Sequence, residues 1–267
     1  MPLKEIMKLL VVPDIHIEPE VSNERMKWLG RLIVDRKPDV AVQLGDLMSF
    51  QSLSHHEFGK KSSEGRRYLY DIEAGLEGQD LLFSEVDNYN RSKKKKDQVK
   101  TDFHITLGNH EGWVNKEIQN NAKMEFTMDA VEDLRLKEFG WKVTPFMSVL
   151  NIKGINFSHY FPSGNMDKAA SGVNVGKTLV DNMGKSCIAG HSHLYREYNK
   201  TILGPDGGPQ RIWGLTAGCY FEHEMFYCGK VTQSQWWRGV LMLTLIDENG
   251  DFNIERIDMK TIKELYK

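Results

Sequence analysis

Eight polar residues along this chain could together do chemistry: Asp14, His16, Asp46, Asn109, His110, His159, His191 and His193. They offer nitrogen and oxygen donors and no thiolate. Such a set suits manganese first, with iron, zinc or nickel also compatible, rather than an iron–sulfur cluster. Asp14-x-His16 puts two donors just past an apolar run, where alternate side chains face the same way, and His191-x-His193 repeats the spacing. A carboxylate such as Asp46 can bridge two ions roughly 3.5–4 Å apart. The chemistry that gains from two such cations is phosphoryl transfer to water. They hold the phosphate oxygens, offset the charge that builds in the transition state, and bring the pKa of a bound water from about 15.7 to about 7. His110, beside Asn109 and not required as a ligand, could give a proton to the leaving alkoxide or hydrogen-bond the phosphate.

Each donor follows an apolar run that stops abruptly. Lys8–Val12 stops at Asp14, 39–44 at Gly45-Asp46, 103–107 at Gly108-Asn109-His110-Glu111, 155–157 at His159, and 186–189 at Gly190-His191-Ser192-His193. Short apolar runs with such stops read as buried strands. Between the first two, Met26, Leu29 and Ile33 repeat at helical spacing, with Asn23 as cap and Lys37-Pro38 as stop. Strand, helix, strand is a crossover unit, which sets Asp14 and Asp46 at one C-terminal edge of neighbouring parallel strands, where ligands bind in open α/β sheets.

The stretch 47–103 reads as an irregular insertion, with helical periodicity only over about 66–89. A further amphipathic helix is expected over 123–139. Hairpin signals stand at Lys153-Gly154, at 204–208 and at Glu248-Asn249-Gly250. Early crossovers and late hairpins predict an α/β fold, a pair of mixed sheets with helices outside, in one domain spanning 1–267.

Composition excludes several classes. With 40% hydrophobic and 27% charged residues and a net charge of -2, the chain has no global attraction for nucleic acid or anionic membrane. The apolar segment 7–13 is too short for a membrane span and lacks a cleavage site. Cys187, Cys219 and Cys228 form no C-x-x-C pair, so a reducing, cytoplasmic setting is expected.

Taken together, Asp14-x-His16, Gly45-Asp46, Gly108-Asn109-His110-Glu111, His159 and Gly190-His191-Ser192-His193 resemble the five ordered motifs of the calcineurin-like metallophosphoesterase superfamily. They stretch over most of the chain. The resemblance implies two facing mixed β-sheets flanked by helices, a four-layer sandwich. It implies that Asp14, His16, Asp46 and His193 hold one divalent metal, that Asp46, Asn109, His159 and His191 hold a second, and that His110 serves the leaving group. The superfamily's Ser/Thr protein phosphatases continue from Gly-Asp to an Asp-Arg-Gly and place an Arg before Gly-Asn-His-Glu. Here Leu-Met-Ser-Phe-Gln follows Asp46 and Thr106-Leu107 precedes Gly108. Both phosphate-binding arginines are missing, so the chain looks more like the bacterial and viral phosphodiesterase or nuclease-like members. It is too short for the capping domain of the double-strand-break repair nucleases.

The expected activity is therefore hydrolysis of a nucleotide or nucleic-acid phosphodiester by metal-activated hydroxide. The alternatives are a phosphomonoesterase on a small metabolite and a metal-binding scaffold without activity. Arg91 to Lys100 holds six bases and one acid and could steer a phosphate backbone, although 47–103 as a whole balances ten bases with ten acids. His55-His56 could reach substrate from the loop after Asp46. Glu222-His223-Glu224 looks ligand-like, but the eight residues above already complete a centre. Of Trp236-Trp237, one is expected in the core and one at an interface.

Overall fold

A computed structural model describes residues 7–55, 57, 59–164, 167–225 and 228–267. The chain runs β1 (Lys8–Val12), α1 (Glu24–Arg36), β2 (Val40–Gln43), α2 (Tyr68–Arg91), β3 (Asp102–Thr106), α3 (Asn109–Asn120), α4 (Ala130–Asp133), β4 (Lys142–Thr144), β5 (Leu150–Ile152) and β6 (Ile155–Ser158). It continues through a short ribbon, β7 (Pro162–Ser163) and β8 (Lys168–Ala169), then α5 (Val175–Met183), β9 (Ser186–Ala189), β10 (Tyr195–Leu203), β11 (Pro209–Ala217), α6 (Lys230–Ser234), β12 (Gly239–Leu245), β13 (Phe252–Asp258) and α7 (Met259–Tyr266).

Two mixed sheets result, ordered β13-β12-β1-β2-β3-β4 and β10-β11-β9-β6-β5. β1, β2, β3 and β4 are parallel, as are β6, β9 and β11. The three hairpins expected from the turn residues join β5 to β6, β10 to β11 and β12 to β13. The central strands β1, β2 and β12 are apolar on both faces because both are covered. Leu9, Val11, Val40 and Val42 meet Phe157, Ile188 and Leu215 of the second sheet. The alternate residues Leu10, Val12 and Ala41 pack instead with Met26, Leu29 and Ile33 of α1 and Leu82 and Val86 of α2. On the far side α5 covers Cys187 and Ala189 of β9 through Val175 and Leu179. The layers are helix, sheet, sheet, helix, as the resemblance implies.

Three local expectations change. Asn23 does not cap α1 with its side chain; its Nδ2 donates to Ala74 O at 3.3 Å and Glu77 Oε2 at 2.7 Å, tying α1 to α2. The segment 123–139 is not one helix. Phe126 and Arg135 take left-handed backbone, and Asp129 caps the single turn of α4. Its apolar residues Met128, Leu134 and Leu136 still reach the core, so the periodicity reported burial rather than helix. The helical periodicity over about 66–89 is the 24-residue α2, whereas Gly108-Asn109-His110-Glu111 is the unforeseen first turn of a helix.

Candidate metal centre

The C-terminal ends of β1, β2, β3, β6 and β9 converge, and all eight residues singled out in the sequence meet there. Asp14, His16 and His193 form one group of donors, Asp46, His159 and His191 another, and His110 joins His16 and Asp46 between them. In the first group His193 Nε2 lies 3.1 Å from Asp14 Oδ2 and 3.1 Å from His16 Nε2. In the second, His159 Nε2 lies 3.3 Å from Asp46 Oδ2 and 2.9 Å from Asn109 Oδ1, and His191 Nδ1 lies 2.8 Å from the same amide oxygen. Asp46 Oδ2 is also 3.8 Å from His16 Nε2 and 3.7 Å from His110 Nε2, so it faces both groups.

Side chains come this close because the backbone is forced. His16, Asp46, His191 and His193 all have positive φ, between 47° and 66°. A left-handed non-glycine residue costs about 1–3 kcal/mol, and such strain gathers where function over-determines the chain. Strand alternation, the reason expected for Asp14-x-His16, is therefore not how the pair is made. The adjoining glycines let the carboxylates in. A Cβ on Gly108 would stand 2.1 Å from Asp46 Oδ1, and one on Gly190 would stand 2.2 Å from Asp14 Oδ1. Without those side chains, His110 N–H donates to Asp46 Oδ1 at 3.0 Å and His191 N–H to Asp14 at 2.9 Å. Both carboxylates are thus aimed by backbone amides.

The imidazoles are aimed from behind. His159 Nδ1 donates to Leu44 O at 2.8 Å and His110 Nδ1 to Ser49 O at 2.6 Å, which leaves each Nε2 facing the centre. For neutral His159, that Nε2 is a bare lone pair 2.9 Å from the Asn109 oxygen, and a cation held there would satisfy both. Burial opposes a charge on His159, yet Asp46 outweighs it and pushes the imidazole up to about 9. Burial, then neighbouring histidines, hold His16 well below its usual value and His191 at about 4. Asp46 is kept ionised despite its burial by His110 and His159. Dense lone pairs, a shared carboxylate and the neutral imidazoles of His16 and His191 are a donor set that fits divalent cations.

Glu111 is the supporting residue that sequence reasoning quoted without giving it a role. Fully buried, it accepts the backbone N–H groups of Gly108 (2.7 Å), Asp46 (3.0 Å) and Met48 (3.1 Å). It stands at the third position of α3, and a Glu three residues past a helix start is a recognisable capping signal. Burial and the Asp46 charge push its carboxyl up to about 7. Trp113, one turn further along α3, stacks on His110 with centroids 3.9 Å apart; helical spacing from His110 was the available signal.

A cavity of about 910 Å³ opens over the cluster, with Trp113 and Trp236 in its lining. Trp236 is nine-tenths buried, edge-on to His193, while Trp237 packs toward the core between the sheets. Among the described residues, the charged lining besides Asp46 and the histidines is Glu57 and Lys60, paired at 3.1 Å. His55 points instead to Glu117 on α3, 4.0 Å away, and His56 lies outside the described residues. His223 sits 3.3 Å from Glu18 behind the centre, and His104 pairs with Asp102 in β3. The Arg91–Lys100 segment precedes β3 and so lies at the opposite edge of the sheet from Asn109, with Lys93 over the Tyr89 ring.

The chain belongs to the calcineurin-like phosphoesterase family, whose model matches residues 7–201. Membership implies a metal-dependent phosphoester hydrolase, and the family typically binds divalent metals. No curated protein matches the chain. One solved structure aligns with 94% of this chain and 99% of its own length, at 13% identity and a TM-score of 0.39. Among the described residues no helix is long and apolar enough to cross a membrane.

Proposed function

We propose that the protein is a phosphodiesterase acting on nucleotides or nucleic acid through two divalent metals, manganese first among them. Asp14, His16, Asp46 and His193 would hold one ion, and Asp46, Asn109, His159 and His191 the other. Ions bound there supply charge to grip the phosphate and acidify a water. The observation that carries the diester reading is the cavity lining. A terminal monoester phosphate is a dianion and gains from an extra cation, whereas among the described residues lining this cavity the lysine, Lys60, is paired with Glu57 at 3.1 Å. A diester carries one negative charge and needs no such cap. Two indoles in the lining of a cavity of about 910 Å³ favour a substrate with a ring to stack, such as a nucleobase.

In this reading His110 serves as the general acid. Its Nδ1 proton is committed to Ser49 O, so the proton it can give away is on Nε2, inside the cavity. The Trp113 ring, stacked on His110 with centroids 3.9 Å apart, holds the imidazole in that orientation. The whole chain is read as one metallophosphoesterase unit carrying 47–103 as an insertion, since the two sheets share a core. Three free thiols fit a reducing, cytoplasmic setting.

The test compares turnover of bis-aryl and mono-aryl phosphates in Mn²⁺. The diester is expected to be preferred, and a clear preference for the monoester would overturn the reading. A panel of cyclic nucleotides and single- and double-stranded DNA and RNA then narrows the substrate.

A further inference from the structure

His16 differs from His110 and His159 in what lies behind it. Their Nδ1 atoms face backbone carbonyls, which only accept, so the tautomer is fixed. His16 Nδ1 instead faces the Ser49 hydroxyl at 3.2 Å, a group that can donate or accept. If the hydroxyl donated, the His16 proton would move to Nε2 and stand 3.1 Å from His193 Nε2, where a cation is to bind.

A third residue decides the direction. Ser49 Oγ donates to Glu18 Oε1 at 2.8 Å. Gln51 Nε2 donates to the same Oε1 at 2.5 Å, so that oxygen accepts and carries no proton. With its one proton spent on Glu18, the Ser49 hydroxyl offers His16 only a lone pair. All three residues are closed off from water: His16 is fully buried, Ser49 is 1% exposed and Glu18 is 7% exposed. No solvent can substitute for the missing polarity.

We infer that Glu18 and Ser49 form a positioning pair that fixes His16 as the Nδ1–H tautomer and so keeps its Nε2 lone pair free for metal. The inference rests on the reading of His16 as a ligand. Its first consequence, the tautomer, does not require any metal to be present. Removing groups that orient a metal-bound histidine typically lowers affinity by roughly 10–100-fold. Ser49→Ala removes the hydroxyl and keeps the carbonyl that holds His110, so the two roles of the residue separate. Glu18→Gln keeps an acceptor oxygen for the hydroxyl; Glu18→Ala does not.

The experiment reads histidine ring nitrogens by ¹⁵N NMR in the metal-free protein and Mn²⁺ binding by calorimetry. His16 in the parent and in Glu18→Gln should show a protonated Nδ1 and a bare Nε2. Ser49→Ala and Glu18→Ala should mix the tautomers and weaken the tighter or looser of the two Mn²⁺ events by about 10-fold or more, with the His110 signals unmoved. If Ser49→Ala and Glu18→Ala keep both the parent tautomer and the parent affinity, the inference is wrong. If Glu18→Gln behaves as Glu18→Ala, a merely structural role for the carboxylate replaces it. A parent protein that shows the Nδ1–H tautomer but binds no Mn²⁺ would uphold the pair and sink the proposed function instead.

Discussion

Removing the Glu111 carboxylate should unfold much of what the centre stands on. It gathers three backbone N–H groups, from Gly108, Asp46 and Met48, in a place only 2% exposed. In Glu111→Ala each loses its acceptor, at about 1–3 kcal/mol for a buried unsatisfied donor. Three such donors sum to several kcal/mol. Against that stands the relief of a buried charge, which burial and Asp46 already push up to about 7. The net loss expected on breaking a buried network of this kind is about 3–5 kcal/mol. Glu111→Gln separates the contributions. Its one oxygen can still serve Gly108 and Asp46, which share Oε2, while its NH₂ would face the Met48 N–H. One bond is then lost, at about 1–3 kcal/mol. Urea unfolding at pH 8 in chelator reads both variants without interference from bound metal. A Glu111→Ala protein within about 1 kcal/mol of the parent, or a Gln variant as damaged as the Ala variant, would refute this account of Glu111.

Three further outcomes follow from other contacts. Gly190→Ala should cut affinity for one Mn²⁺ by tenfold or more in calorimetry, because its Cβ would stand 2.2 Å from Asp14 Oδ1. His110→Ala should slow turnover by about 10²–10⁴-fold with a poor alkoxide leaving group. The loss should be much smaller with an activated aryl leaving group that needs no proton; equal losses would remove the general-acid role. Asp71, buried beside Ser52, is pushed by burial from 3.8 up to about 6. The folded state then holds that proton more tightly than the unfolded one, so its contribution is fullest below about pH 4 and is lost as pH rises through about 6. Asp71→Asn should therefore gain stability over the parent between pH 4 and 7, by no more than about 3 kcal/mol, read by urea midpoints across that range.

The centre was legible in the sequence because parallel strands deliver residues to a common edge. Once Lys8–Val12 and 39–44 are read as strands joined by a crossover, Asp14 and Asp46 have to be neighbours. What stayed hidden is what the pattern of apolar residues does not encode. Nothing about His16, Asp46, His191 or His193 announces a left-handed backbone, since glycine, the usual marker, stands beside some of them rather than at the position itself. The support from Ser49, Glu18 and Glu111 is hydrogen bonding across long sequence separations, which periodicity cannot report. The segment 123–139 failed for the opposite reason. Its apolar spacing was real, but Phe126 and Arg135 turn the chain so that the same residues reach the core without a helix. The basic run at Arg91–Lys100, expected to steer a phosphate backbone, enters β3, whereas Asn109 follows that strand. The direction of that strand puts the run at the other end of the sheet.

The central claim is a pair of divalent ions shared by Asp46. Its most direct test is Mn²⁺ stoichiometry, measured by calorimetry on chelator-stripped protein and on Asp46→Asn. Two ions per chain are expected in the parent, and the variant, having lost the carboxylate that faces both groups, should weaken both binding events. A parent that binds no Mn²⁺ or a single ion, or an Asp46→Asn protein that binds as the parent does, would contradict it.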